Sequence, residues 1–312
     1  MIIESRTAVY GAIIANAAIA ITKFIVAGVS GSSAMLSEGI HSTVDAGNGV
    51  LLMIGIRRSE RQATAEHPFG HGKEVYFWSL IVAVLIFGVG GGISAFEGVM
   101  HIMHPTPLRD PGWNYVVLAV AGLFEGASLY IALRAFSREQ NDRPFWQALR
   151  ASKDPATYTV IAEDSAALLG LVFAAAGIWA SHHFDMPALD GAASVLIGIL
   201  LAVVAVLLIR ESRGLLVGEG IQPATARAIR ELVLQDPRVK LAGRPLSMYI
   251  GPEEILLALD VQFGADLQTD EIARTVRGLE RQIRERFPKI CRIYIETATL
   301  DGAPAHGGPP SG

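Results

Sequence analysis

The sequence predicts an α-helical membrane protein, in which a bundle of six transmembrane helices is followed by a small cytoplasmic α+β domain. Composition is the first indication, because 51% of the 312 residues are hydrophobic and only 18% are charged, against about 25% charged residues in soluble proteins. Distribution is the second, since long apolar runs fill residues 8–209 and the remainder of the chain has ordinary polarity. Together they exclude a soluble enzyme.

Six apolar stretches are each long enough for a transmembrane helix, which needs about 20 residues to cross a bilayer. Lipid offers the backbone no hydrogen bonds, so these stretches are predicted to be helices. The first contains Asn16 and Lys23 and is followed at once by further stretches, which is typical of a membrane span and not of a cleaved signal peptide. The predicted spans are residues 8–29, 33–56, 75–103, 113–136, 156–182 and 187–209.

Basic residues accumulate in the connections on one side of these spans, whereas the opposite connections contain a single one, Arg109. Arginine and lysine favour the cytoplasmic side, so both termini are predicted to be cytoplasmic. We expect a bacterial inner membrane, because the chain shows no targeting extension. The basic residues on the cytoplasmic side are Arg6, Arg57, Arg58, Arg61, Lys73, Arg134, Arg138, Arg143, Arg150, Lys153, Arg210 and Arg213.

The chain is predicted to divide into a transmembrane domain at residues 1–217, a soluble domain at 218–300 and a disordered tail at 301–312, which is rich in glycine and proline. Within the soluble domain the order helix, strand, strand, helix, strand predicts a ferredoxin-like sandwich. The apolar spacing places these elements at residues 223–234, 245–251, 255–263, 266–287 and 290–297.

The charge and cysteine content narrow the class of partner. A formal net charge of -4 gives no support for nucleic-acid binding. A single cysteine, Cys291, excludes a disulfide scaffold. Nucleic acid is therefore not a predicted partner, whereas membrane lipid is, because apolar runs fill residues 8–209.

Ionisable side chains interrupt the second predicted span, where they are costly and therefore point to function. Glu38, His41, Asp45 and Asn48 lie on one stripe of that helix. An imidazole and a carboxylate one turn apart can bind a divalent cation. The alternative is a buried histidine–aspartate hydrogen bond that only fixes helix packing.

The fifth span carries adjacent carboxylates, Glu163 and Asp164, inside an apolar stretch. Two acidic groups without a cation nearby repel each other, and a bound metal ion or a proton removes that repulsion. In the alternative, Glu163 lies in water near the cytoplasmic end and Asp164 pairs with a basic residue.

Two segments give the chain a family resemblance. Residues 31–45, GSSAMLSEGIHSTVD, resemble the second-span signature of the cation diffusion facilitators, and residues 67–74, HPFGHGKE, resemble the segment that follows that span in the same family. The likeness extends along almost the whole chain. It implies a homodimeric antiporter without a prosthetic group, which expels zinc or a similar divalent cation in exchange for protons.

The resemblance also implies a transport site made of two residues on span two and two on span five. His41 and Asp45 match the first pair and Asp164 matches the second ligand of span five, but Val160 stands where the family has histidine or aspartate. Water, Glu163 or Glu38 would complete the set. Zinc is the first expectation, and iron(II) or manganese is the alternative because oxygen ligands suit those metals better.

A second metal site is predicted at His67 and His71, with Glu66 beside them, although Thr64 stands where the family has an acidic residue. The alternative is a glycine-hinged turn whose histidines only pack. The soluble domain contains no histidine, whereas several relatives bind zinc there, so we expect it to serve dimerisation with little metal sensing.

Two other classes of function stay open at this point. A membrane metalloenzyme would use the same side chains to activate water, but the chain contains neither a His-Glu-x-x-His motif nor a serine elbow. A non-transporting sensor or scaffold would bind metal without moving it. Alternating access with proton exchange is the mechanism that the family resemblance favours.

Overall fold

The computed structural model describes residues 2–106, 112–139 and 155–298. The chain folds as two compact units, the first comprising Met1–Arg58 and Glu74–Arg213 and the second Ser59–Lys73 and Gly214–Gly312. The predicted tail, residues 301–312, lies outside the described residues. So do four basic residues of the loop pattern, Arg109, Arg143, Arg150 and Lys153.

Long helices make up the first unit, and the apolar runs of the sequence account for them. Four segments are long and apolar enough to cross a membrane: Glu74–Met103, Gly112–Ser137, Thr157–Phe184 and Ala188–Val217. These coincide with the third to sixth predicted spans. The helices are α1 Ile2–Ser30, α2 Ser33–Ser59, α3 Glu74–Leu85, α4 Ile93–Met103, α5 Gly112–Glu139, α6 Pro155–Phe184 and α7 Ala188–Val217, with a π-helical segment, Ile86–Gly92, joining α3 to α4.

The first two helices are not among these four segments, and of the two only α2 is distinctly less apolar than the others. In α1 the apolar helical part that is described in full, Asn16–Ser30, is shorter than a span. In α2 the buried residues include Glu38, His41 and Asn48, which lower its hydropathy. Polar side chains that face the interior of the unit explain why α2 does not read as a simple apolar span.

Glycines on α4 and α7 let the two helix backbones touch. A Cβ atom on Gly98 would lie 2.6 Å from the carbonyl oxygen of Gly191, and one on Gly198 would lie 2.7 Å from the amide nitrogen of Ala95. Small residues permit this close approach between membrane helices. We call this contact the glycine seam, defined by Gly98 on α4 and by Gly191 and Gly198 on α7.

The second unit contains a small sheet with two helices, namely α8 Pro223–Leu234, β1 Val239–Ala242, β2 Leu246–Gly251, β3 Glu254–Phe263, α9 Thr269–Arg286 and β4 Ile290–Thr297. β3 pairs antiparallel with β1 and β2 and parallel with β4. Its inward residues Leu257 and Leu259 pack with Leu279 of α9 in the core. The sequence pattern predicts these elements except β1, so the helix-strand-strand-helix-strand order is one strand short.

The loop between α2 and α3 belongs to the second unit. Lys73 Nζ donates to the carbonyl oxygen of Leu216 over 3.3 Å and lies 3.4 Å from the sulfur of Met248. Gly72 is buried against the backbone of Ile250 in β2, where a side chain would collide with it. The loop is thereby held against the sheet.

Candidate metal site

The start of α2 is fixed by a carboxylate from α7. Asp190 is fully buried and accepts hydrogen bonds from the backbone of Ser33 at 2.6 Å and from the hydroxyl of Ser32 at 2.8 Å. A carboxylate at a helix N-terminus satisfies free amides and complements the helix dipole. This cap positions the helix that carries most of the candidate ligands.

His41 and Asp45 lie one turn apart on α2, as the spacing predicts. Nδ1 of His41 is 3.6 Å from Oδ1 of Asp45, which is too long for a hydrogen bond. Both ring nitrogens of His41 and this aspartate oxygen are buried without a hydrogen-bond partner. The packing hydrogen bond of the alternative interpretation is therefore not formed, and three polar atoms are left for a ligand.

On α6, the two adjacent carboxylates have different partners. Glu163 Oε1 accepts a hydrogen bond from Nδ2 of Asn48 on α2 over 2.8 Å. The side chain of Ser128 on α5 lies close enough to Asp164 to act on its charge, and the Oδ2 atom of Asp164 is buried without a partner. Among the residues that the structure describes, no ion pair joins Asp164 to a basic side chain, as the alternative interpretation would require.

Charge accumulates around Asp45. The carboxylates of Glu163, Glu125 and Asp164 are all close enough to act on it, and Lys23 opposes them. Like charges in a poorly solvated interior repel strongly unless cations or protons compensate them. Glu125 on α5 is 5% exposed. Of these carboxylates, it is the one that the sequence did not predict to be part of the metal site.

Glu38 belongs to another cluster. Its Oε2 atom is 2.8 Å from Nζ of Lys23 on α1, and the same ammonium group donates to the hydroxyl of Ser42 over 2.8 Å. Lys23 and Glu38 are both fully buried. The structure therefore places Glu38 with a cation of the protein itself and separately from the His41–Asp45 pair.

Among the residues that the structure describes, no group of three or more histidine, cysteine, aspartate or glutamate side chains is already gathered as metal ligands. The structure brings His41 to Asp45 and Asn48 to Glu163. Asp164 lies close enough to Asp45 and Glu163 for its charge to act on them. Val160 is half-buried one turn before Asp164, and its side chain has no donor atom. Binding a cation here requires the ligands of α2 and α6 to draw closer.

The predicted second site shows features of both interpretations. The rings of His67 and His71 are 4.6 Å apart between centroids, and Nδ1 of His71 is buried without a partner. The segment is also a turn, since the backbone amide of Gly70 donates to the His67 carbonyl over 3.0 Å at a φ of 88°. Thr64 accepts from the His67 amide, and Glu66 is exposed.

Comparison with known proteins relates the chain to one protein family. A family model for the cation efflux transmembrane domain matches residues 9–217. The chain is 33% identical over 306 residues to the mitochondrial proton-coupled zinc antiporter SLC30A9 of Xenopus laevis, covering 86% of this chain and 55% of that protein. It is 33% identical to the human SLC30A9 protein over 249 residues, covering 79% of this chain and 44% of the relative.

A plant relative is also similar. Metal tolerance protein C4 of Arabidopsis thaliana is 30% identical over 291 residues, covering 93% of this chain and 62% of that protein. The chain spans about half the length of the SLC30A9 relatives that it matches, 55% and 44% of the two above.

Proposed function

The chain belongs to the cation efflux family, the cation diffusion facilitators, and on this basis we propose that it exports a divalent cation, zinc first, in exchange for protons. One observation carries the proposal: polar atoms of His41, Asp45 and Asp164 are buried without hydrogen-bond partners. Unmade hydrogen bonds of this kind are costly, and a bound cation removes the cost. They lie on the two helices that the family resemblance assigns to the transport site.

The proposed ligands are His41, Asp45 and Asp164, with water or Glu163 in the remaining position. Glu163 is available through its hydrogen bond to Asn48, which holds it toward α2. Glu38 is the weakest of the proposed ligands, because Lys23 already occupies one of its oxygens. His67, His71 and Glu66 remain a proposed second site in the loop.

Zinc is proposed because the first relatives are named as zinc antiporters and because imidazole is a preferred zinc ligand. The single histidine among carboxylates keeps iron(II) or manganese as the alternative cargo. Metal and protons compete for the same ligand atoms, since ligands must be deprotonated to bind a metal. Protons entering from the outer side would then release the cation, which is the proposed basis of antiport.

The architecture proposed for this activity follows from the family and the charge pattern. Six spans, cytoplasmic termini, an inner-membrane location and a homodimer joined through the soluble domain are all part of the proposal. Alternating access then exposes the site between α2 and α6 first to one side of the membrane and then to the other.

A flux assay on reconstituted protein tests the function. Proteoliposomes with an opposing proton gradient should accumulate zinc, and a panel with iron(II) and manganese should rank the cargo. Asp45→Asn keeps the size of the side chain but removes its charge, so it should abolish flux. Asp236→Asn in the soluble domain is the matched control and should transport normally. Equal flux in Asp45→Asn contradicts the proposed site, and zinc binding without flux indicates the sensor instead.

A further inference from the structure

A lysine–glutamate ion pair is enclosed in the first unit. Lys23 of α1 and Glu38 of α2 are each 0% exposed. The ammonium nitrogen lies 2.8 Å from Oε2 of Glu38 and 2.8 Å from the hydroxyl oxygen of Ser42. Charged groups at such depth are expensive and point to function, and replacing a buried pair with apolar residues is often no loss to stability.

The packing makes room for this pair. The second oxygen of Glu38, Oε1, is buried without a hydrogen-bond partner. It faces Gly170 of α6, where a Cβ atom would lie only 2.5 Å away. The carboxylate of Glu38 thus reaches α6, the helix that also carries Asp164, at Gly170, where any side chain would collide with it.

The pair also lies beside the transport site. Glu38 comes three residues before His41, and Ser42 follows His41 directly. The charge of Lys23 acts on His41, Asp45 and Glu125, while Glu38 acts on Glu125 with the opposite sign. A cation between α2 and α6 is therefore repelled by Lys23 and attracted by Glu38, which together carry no net charge.

We propose that Lys23 and Glu38 set the affinity of the transport site for its cation, by holding a balanced pair of charges next to it. This rests on the proposed function. Because the two charges are opposite, removing one or the other should change affinity in opposite directions. A pair that only joined α1 to α2 would behave differently, since loss of either partner would weaken the site in the same way.

Zinc binding to the purified full chain in detergent, measured by calorimetry, tests this inference. Lys23→Gln removes the positive charge and keeps hydrogen-bonding groups, so zinc should bind about tenfold more tightly. Glu38→Gln leaves Lys23 uncompensated, and zinc should bind about tenfold more weakly. A unit charge within about 20 Å of a divalent cation, at an effective dielectric constant of 20, has an effect of at least this size.

Two further variants complete the design. The Lys23→Gln, Glu38→Gln double variant restores neutrality and should return the affinity to within about threefold of the native value, while Thr43→Ala on the exposed side of α2 is the matched control. Affinity changes of the same sign in both single variants overturn the inference. If a single variant does not fold, the double variant decides, since a shift of tenfold or more in it also overturns the inference.

The experiment separates this inference from the proposed function. Native protein that binds and transports zinc, with flux lost in Asp45→Asn, supports the function whatever the lysine and glutamate variants do. Native protein that binds none of zinc, iron(II) and manganese contradicts the function itself.

Discussion

The side-chain amide of Asn48 on α2 donates a hydrogen bond to Glu163 on α6, with 2.8 Å between Nδ2 and Oε1. This bond joins the two helices that carry the candidate ligands. The other polar atom of the amide, Oδ1, is buried without a partner. Asn48 is therefore placed to orient Glu163, one of the proposed ligands.

Replacing Asn48 with leucine should lower zinc affinity about 10- to 100-fold, the usual cost of losing a group that orients a metal ligand. Leucine has a similar volume but no donor, so Glu163 loses its hydrogen bond and its fixed direction. Calorimetry with zinc on the purified protein measures the effect. Thr43→Ala, five residues earlier on α2 and exposed, is the control, and an unchanged affinity in Asn48→Leu removes Glu163 from the proposed ligand set.

Gly170→Ala should destabilise the first unit by about 1–3 kcal/mol, the range for overpacked interiors. The added methyl group would lie 2.5 Å from Oε1 of Glu38 and would displace the Lys23–Glu38 pair. Thermal unfolding in detergent measures the change. Gly28→Ala is a matched control in α1, because nothing lies within 4 Å of the added atom there, and an equal melting temperature for both variants would contradict the predicted clash.

Val160→His should strengthen zinc binding about tenfold or more and shift the preference from manganese toward zinc. The half-buried valine lies one turn before Asp164, so a histidine there adds an imidazole on the same face of α6. Nitrogen ligands favour zinc over the harder metal. Competition between the two ions in the flux assay measures the shift, with Val160→Leu as the control for volume. If the selectivity of Val160→His does not change, the cation does not bind near this part of α6.

An ion pair in the soluble domain should give a pH dependence of known sign. Hydrogen bonds from the Arg238 side chain hold the pKa of Asp236 below its usual 3.8. A depressed carboxyl pKa stabilises the fold above the pKa of the unfolded chain, and that stabilisation disappears as the pH falls through the folded-state pKa.

Asp236→Asn should therefore melt slightly lower than the native protein at pH 7, and the difference should shrink as the pH falls below about 4. The difference is small because Arg238 is 46% exposed and solvent screens the pair. Melting curves of the full chain at both pH values test this. A gap that widens on acidification would show that the aspartate is not stabilising in its charged form.

Much of the fold follows from the sequence, because long apolar runs leave few alternatives to membrane helices. The strand β1 could not be predicted. It has only four residues, its buried positions are Val239 and Ala242 at the two ends, and its register with β3 shifts between Val239 and Leu241. Such a strand lacks the simple alternation on which strand prediction depends.

For the site, spacing along one helix was enough to place His41 with Asp45, since residues four apart share a face. Contacts between different helices cannot be predicted from such spacing. Neither the hydrogen bond from Asn48 to Glu163 nor the pairing of Lys23 with Glu38 leaves a periodic signal in the chain. The relation of Glu125 to Asp45 could not be predicted for the same reason, because it depends on how α5 packs beside α2 and α6.

The glycine seam has a consequence for natural variation in this protein. At Gly98, Gly191 and Gly198 the nearest atoms belong to the opposing backbone, which cannot rotate aside as a side chain can. No other residue fits at these positions without moving the helices, since glycine is the smallest residue and even the methyl group of alanine would force α4 and α7 apart. At these three positions, selection for the packing of α4 against α7 should therefore keep glycine in place.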